Sequence, residues 1–279
     1  MIVRFKQSKN LFVVYYRLLS TENDVAAEKY RASFMPDYVY KFVSLFDEKT
    51  DDDKMRNQKR LASLAKNKVW FSHRTVLNDP YEMKGFYFDK ELLLSKGVPK
   101  EIVDSFLHFY QSMPIASFTE NIAQNLPMWA HYSNNHRGYA VKYKVNNKRM
   151  LRAVLYQSEI EDFTNKFLYF LHSIFASKET HNLETIKAAH FYSSVFLFIP
   201  FTKHQSWKYE KEYRMIYPEI ITESGLNVET SNLGIEPTSV YAGIKCSEEH
   251  KERLQQITNT LGIEFHCCKQ SDRYFTVIE

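Results

Sequence analysis

The chain has 279 residues, of which 44% are hydrophobic and 25% charged, and it carries a net charge of +4. This composition fits a soluble globular protein of one or two domains and excludes fibrous, disordered and disulfide-scaffold classes. With only seven glycines, and no G-x-G-x-x-G or Walker-type loop among them, it also excludes a P-loop NTPase and a standard dinucleotide-binding Rossmann domain.

Residues 1–35 read as an N-terminal extension. Its apolar run, Leu11 to Leu19, is interrupted by Arg17 and is too short to span a bilayer, so no membrane partner is expected. Three cysteines, Cys246, Cys267 and Cys268, are too few for a secreted scaffold and point to a reducing cytoplasm. Tyr38 to Val43, rich in aromatic and β-branched residues, predicts a strand. Asp51 to Asp53 then cap a basic helix from about Lys54 to Lys66. Val69 to Ser72 is a second strand, stopped by the turn Asn78-Asp79-Pro80.

A helix from about Lys100 to Ser112 leads to a strand near Ile115–Phe118, and Gly138 to Lys144 alternates as a two-faced strand. Ser158 and Glu161 form a capping-box pattern before helically spaced Phe163, Phe167, Leu171 and Ile174. A second helix, about Asn182 to Phe198, completes a helical hairpin inserted at about 159–199. Glu212 to Tyr217, Ser239 to Ala242, Glu264 to Cys268 and Arg273 to Ile278 predict strands, and Ser247 caps a helix ending near Gly262. Strands and helices without regular alternation predict an α+β class with mixed sheets, forming one domain over residues 36–279.

Three segments carry candidate chemistry. In Lys203-His204-Gln205-Ser206-Trp207-Lys208-Tyr209-Glu210-Lys211-Glu212-Tyr213-Arg214, a strand would place Glu210, Glu212 and Arg214 on one face. That face is either a salt-bridged solvent ladder or a carboxylate pair fit to bind a sugar hydroxyl and steady developing positive charge. In Ser72 to Glu82, the Asn-Asp-Pro turn offers Ser72 and Asn78 as neutral hydrogen-bonding groups at a pocket mouth. In Pro127 to Gly138, Trp129 and Tyr132 are three apart and offer a stacking wall with His131 or His136 at its edge, or simply core. His266-Cys267-Cys268 lacks a second pair at zinc spacing, so no metal site is expected.

Tyr38-Val39-Tyr40-Lys41-Phe42, Trp70-Phe71-Ser72 with Leu77-Asn78-Asp79-Pro80, Met128-Trp129-Ala130-His131-Tyr132 with Gly138, and Trp207-x-x-Glu210-x-Glu212-x-Arg214 together resemble a bacterial family known as domain of unknown function 2971. The resemblance covers about residues 36–245. A first strand with a cation, a middle strand ending in Ser and a late Glu-x-Glu strand are also similar to the ADP-ribosyltransferase pattern.

That second resemblance implies a split mixed sheet that holds NAD, as substrate, in a cleft without a glycine fingerprint. It implies Glu212 as the catalytic glutamate on the nicotinamide ribose and Glu210 orienting the acceptor, with Arg214 fixing its neighbour. Lys41 would contact the NAD phosphates or ribose, and Ser72 would take the middle-strand position. Asn78 and His131 would line the site, and Tyr81 or Trp129 would stack on nicotinamide. Lys41 stands where such enzymes carry Arg or His, and Ser72-His73-Arg74 lacks their second serine. The implied protein is a toxin or phage-defence effector with a protein or nucleic-acid acceptor and a place for a neutralising partner protein. Two other classes compete: a non-catalytic nucleic-acid or protein-binding module of a defence system, using Lys208, Tyr209 and Lys211, and a metal-dependent nuclease using Asp79, Glu82 and His131.

Overall fold

Alternating side chains in Tyr38–Val43 build β1, a strand with two apolar faces at the middle of the main sheet. The computed structural model describes residues 14–15, 17–19, 24–219, 224–273 and the backbone of 277–278. The Leu11–Leu19 run and the expected strand at Arg273–Ile278 lie partly outside the described residues.

Ahead of β1, α1 (Asp24–Ser33) is fastened by Arg31, which is 3% exposed and donates to the carbonyl oxygens of Lys148 and Arg149, both at 3.1 Å, and of Leu151. After β1 come α2 (Asp51–Ala65), β2 (Lys68–Ser72), β3 (Phe86–Tyr87), α3 (Lys90–Ser95), α4 (Lys100–Gln111) and β4 (Ile115–Thr119). The chain continues through α5 (Leu126–Tyr132), β5 (Tyr139–Val145), β6 (Arg152–Ala153), β7 (Leu155–Gln157) and β8 (Glu161–Asp162). The helical hairpin follows as α6 (Thr164–Thr180) and α7 (Leu183–Phe196), then β9 (Thr202–His204), β10 (Glu212–Ile216) and β11 (Gly225–Glu229). Last are α8 (Thr230–Leu233), β12 (Ile235–Ala242), α9 (Glu248–Leu261), β13 (Glu264–Cys267), β14 (Lys269–Gln270) and β15 (Val277–Ile278).

The main sheet runs β11-β2-β4-β1-β5-β12-β13, with β10 added beside β4 and β6 beside β10. It is mixed: β12 and β13 are parallel and its other pairs antiparallel. Along one edge β4 pairs with β10 over its whole length, from Glu212↔Thr119 to Ile216↔Ile115. Along the other edge it meets β1 only at Tyr40↔Thr119 and β2 only at Ser72↔Ile115. The sheet is therefore split between β1 and β2.

One face of this sheet forms the largest core, with Val39, Phe71, Phe118, Tyr143, Met215 and Leu254. A smaller cluster on the other side joins Tyr40, Phe42, Ala140 and Tyr241 to Trp129 of α5. The hairpin has its own aromatic core, in which Phe88, Phe163, Phe167 and Phe196 meet Phe106 of α4. Among the described residues, no helix is long and apolar enough to cross a membrane.

Two expected caps differ. Thr50, not the aspartates, caps α2: its hydroxyl accepts from the Asp53 N–H at 3.1 Å, while Asp51 to Asp53 fill the first turn and favour the positive end of the helix dipole. The Ser158/Glu161 capping box does not form, because Glu161 and Asp162 are taken into β8, which pairs with β3. The helix starts two residues later, where Asp162 accepts the Thr164 N–H at 2.8 Å.

Candidate functional site

Residues 203–214 do not form one strand. Thr202–His204 pairs with β7, and His204 Nδ1 then accepts the Ser206 N–H at 3.3 Å, opening a 3-10 turn from Gln205 to Glu210. Lys211 closes the turn with a left-handed φ of 46°, and β10 begins at Glu212. The expected single face of Glu210, Glu212 and Arg214 is replaced by a bend. The expected solvent ladder is also absent, since Glu210 and Glu212 are 1% and 2% exposed and Arg214 is fully buried.

The bend folds these side chains into one buried cluster clasped by Lys203, whose Nζ lies 2.5 Å from Glu210 Oε2 and 3.2 Å from Glu212 Oε2. Arg214 donates through Nε to Glu212 Oε1 at 2.7 Å and through Nη2 to Oε2 at 3.0 Å. Its Nη1 reaches Glu82 Oε1 at 2.5 Å and the Pro200 carbonyl at 2.6 Å. Tyr132, on α5, donates a short hydrogen bond to Glu210 Oε1, and exposed Asn78 donates to the same phenol at 3.1 Å. Backbone contacts pin the bend: Thr119 donates to the Glu210 carbonyl at 2.8 Å, and the Glu212 N–H donates to Tyr156 Oη at 2.9 Å.

The two glutamates end in different states. A carboxylate offers about four lone-pair positions. Glu212 accepts twice from Arg214 and once from Lys203, which takes three of them. Burial alone would raise its pKa, but Arg214 and Lys203 outweigh burial and hold the carboxyl well below the ordinary range. Glu210 accepts once on each oxygen. Burial and the neighbouring Glu212 charge raise it to about 7 against the pull of Lys203. Burial, with Glu210 beside it, pushes the Tyr132 phenol up, so at neutral pH it stays a donor.

Of the residues singled out by sequence, Glu210, Glu212, Arg214, Asn78 and Tyr132 come together here, Tyr132 as a hydrogen-bond donor rather than as part of a stacking wall. Lys41 lies next to the cluster where β1 parts from β4: its ammonium is 3.4 Å from the Ser117 carbonyl and 5.5 Å from the Phe118 ring centroid. Burial lowers it to about 8, opposed by the Glu212 carboxylate. Ser72 is elsewhere, paired with Ile115 at the end of β4 opposite to Thr119 and Glu212. At about 3.3 Å per residue this separates the two backbones by roughly 13 Å.

Trp129 lines no surface: it is fully buried, donates to the Ile122 carbonyl at 2.9 Å and packs edge-on against Phe42 at 4.9 Å. Tyr81 is 60% exposed and follows the turn in which Asp79 accepts its N–H at 2.9 Å. His131 is exposed, with its ring 6.4 Å from that of Tyr209. Sequence patterns do not mark Lys203 or Tyr156 as site residues, and they offer Glu82 only as a metal ligand. Lys203 precedes Glu210 by seven residues across a turn, and nothing in local periodicity signals that closure. Among the described residues, no group of three His, Cys, Asp or Glu side chains is arranged to hold a metal ion.

Residues 128–215 match the model of a family described as Protein of unknown function (DUF2971). The matched span runs from α5 through β10 and so contains Tyr132, Lys203, Glu210, Glu212 and Arg214. No curated protein and no solved structure matches the chain.

Proposed function

We propose that the chain is an NAD-dependent ADP-ribosyltransferase acting at the Glu210–Glu212 cluster. One observation carries this reading: two buried carboxylates clasped by the same lysine are otherwise held differently, Glu212 by two donors of Arg214 and Glu210 by the Tyr132 phenol, so that cations hold the first low while burial raises the second. Environments that push two neighbouring carboxyls apart in this way divide the work between an electrostatic stabiliser and a proton carrier. Rupture of a ribose–nicotinamide bond needs both. As the bond breaks, its electron pair leaves with nicotinamide and positive charge spreads over C1′ and the ring oxygen. The acceptor then adds to C1′ and gives up its proton.

Glu212 supplies the anionic field for the sugar cation, acting from within its sheath of donors. Glu210 takes the acceptor's proton, and Tyr132 and Asn78 connect it to the surface. The split between β1 and β2, with Lys41 at its edge, agrees with the cleft that the transferase resemblance implies.

The test is nicotinamide release from NAD, with thermal unfolding alongside. NAD should raise the melting temperature, since a ligand that binds only the folded state stabilises it by mass action. Glu210→Gln and Glu212→Gln should each slow release by about two to three orders of magnitude, the scale for one preorganised electrostatic contact. Absence of release together with an unmoved melting curve rejects the reading.

A further inference from the structure

Three rings stand in a row on the solvent side of the cluster. Trp207 and Tyr209 have centroids 6.2 Å apart at 36°, and Tyr209 and His131 have centroids 6.4 Å apart at 40°. The row is anchored to the glutamates. The Trp207 ring lies 4.9 Å from Lys203 Nζ, the cation that clasps both carboxylates, and the Tyr209 carbonyl accepts from Asn125 at 2.9 Å. His131 is exposed, and Trp207 and Tyr209 are partly so. Lys208, between them in sequence, is exposed and makes no ion pair among the described residues. Tyr81, another exposed ring, stands on the loop that carries Asn78.

The rings pack on one another at tilts of 36° and 40°, so a ligand meets their outward faces and edges rather than gaps between them. A cation beside a row of rings, on a chain of net charge +4, matches the demand of a polyanion whose bases offer π faces.

We propose that Trp207, Tyr209 and His131 bind single-stranded nucleic acid, and that a nucleophilic nitrogen or hydroxyl of that strand is the ADP-ribosyl acceptor. The chemical half rests on the transferase reading and the binding half does not. In the transfer, the new bond joins the acceptor atom to C1′ of the ribose. The bond from C1′ to nicotinamide breaks with its electron pair on nicotinamide, and the acceptor's proton passes to the Glu210 carboxylate. No further reactant is required.

Fluorescence anisotropy with labelled oligo-dT and oligo-U of fifteen nucleotides, over a range of KCl, tests the binding half. Stacking is worth about 1–3 kcal/mol per base, so Tyr209→Leu should weaken binding by about five- to a hundredfold while Tyr209→Phe keeps it. Lys208→Ala should lower the salt slope by about one. The dT and U arms show whether DNA or RNA is preferred.

Incubation with NAD labelled on its adenine ring, with oligonucleotide and with a mixture of proteins, tests the transfer half. Label on the oligonucleotide supports the whole proposal. Nicotinamide release with label only on protein, or with no oligonucleotide binding, overturns it and leaves the transferase reading in place. Oligonucleotide binding sensitive to Tyr209→Leu without any NAD consumption keeps the binding surface and overturns both the transfer half and the transferase reading.

Discussion

At the Thr119–Glu212 end of the β4–β10 ladder, five ionisable side chains, Glu82, Lys203, Glu210, Glu212 and Arg214, are buried together. At the Ile115–Ile216 end, the same ladder continues through Ser72 into β2 and β11, over the apolar side chains of Phe71, Met215 and Val228. The backbone pairing is alike at both ends, and the side chains differ because the neighbours do. Each end of β4 meets one further strand, β1 at Tyr40↔Thr119 and β2 at Ser72↔Ile115, but only at the charged end do a bent segment and α5 also close over it. The difference teaches that charge is buried where the sheet gives way to irregular chain, which can bring donors from several directions to offset desolvation.

Removing one cation would strain this contrast most. Arg214→Leu leaves Glu82 and Glu212 short of their shared guanidinium and should cost about 3–5 kcal/mol in urea unfolding, as breaking a buried pair does. A loss below about 1 kcal/mol would mean that the two ends are energetically alike.

The next largest effect is pH-dependent. The Glu210 carboxyl sits at about 7 in the folded chain and at an ordinary value of 4.5 when unfolded. Its stabilising contribution is therefore complete below 4.5 and is lost as pH rises through about 7. Glu212, held low, works in the opposite sense: its support is present above 4.5 and is lost in stronger acid. Melting temperatures between pH 5 and pH 8 should fall more steeply for the native chain than for Glu210→Gln, and parallel curves would refute this assignment.

Tyr132→Phe removes the donor to Glu210 Oε1 and should cost about 1–3 kcal/mol by denaturant titration. It should also shift the pH profile of any nicotinamide release. Ser72→Ala, at the plain end, should stay within about 0.5 kcal/mol and leave that release unchanged. Lost activity there would move the site along β4.

Much of the architecture is legible in the sequence because local periodicity dictates it. The strand at Tyr38–Val43, the helix capped by Ser247 and ended at Gly262, and the hairpin of α6 and α7 follow from patterns that packing reinforces. The site is legible only as a set of residue types. Glu210, Glu212 and Arg214 stand out as charges in one short segment, whereas their grouping with Lys203, Tyr132 and Glu82 depends on where three separate elements end. Trp129 and Ser72 show the converse. Each belongs to a recognisable motif, yet the register of α5 turns one ring into core and the ladder carries the other hydroxyl to the opposite end.

The left-handed turn at Lys211 gives the middle residue of the Glu-x-Glu spacing a task of its own. It works as a backbone elbow, setting the angle at which one ammonium can grip two acids. Glycine at that position would keep the elbow, and valine, whose branched side chain resists positive φ, would straighten it. A protein with every charge in place but an unbent elbow would hold the right groups in the wrong arrangement.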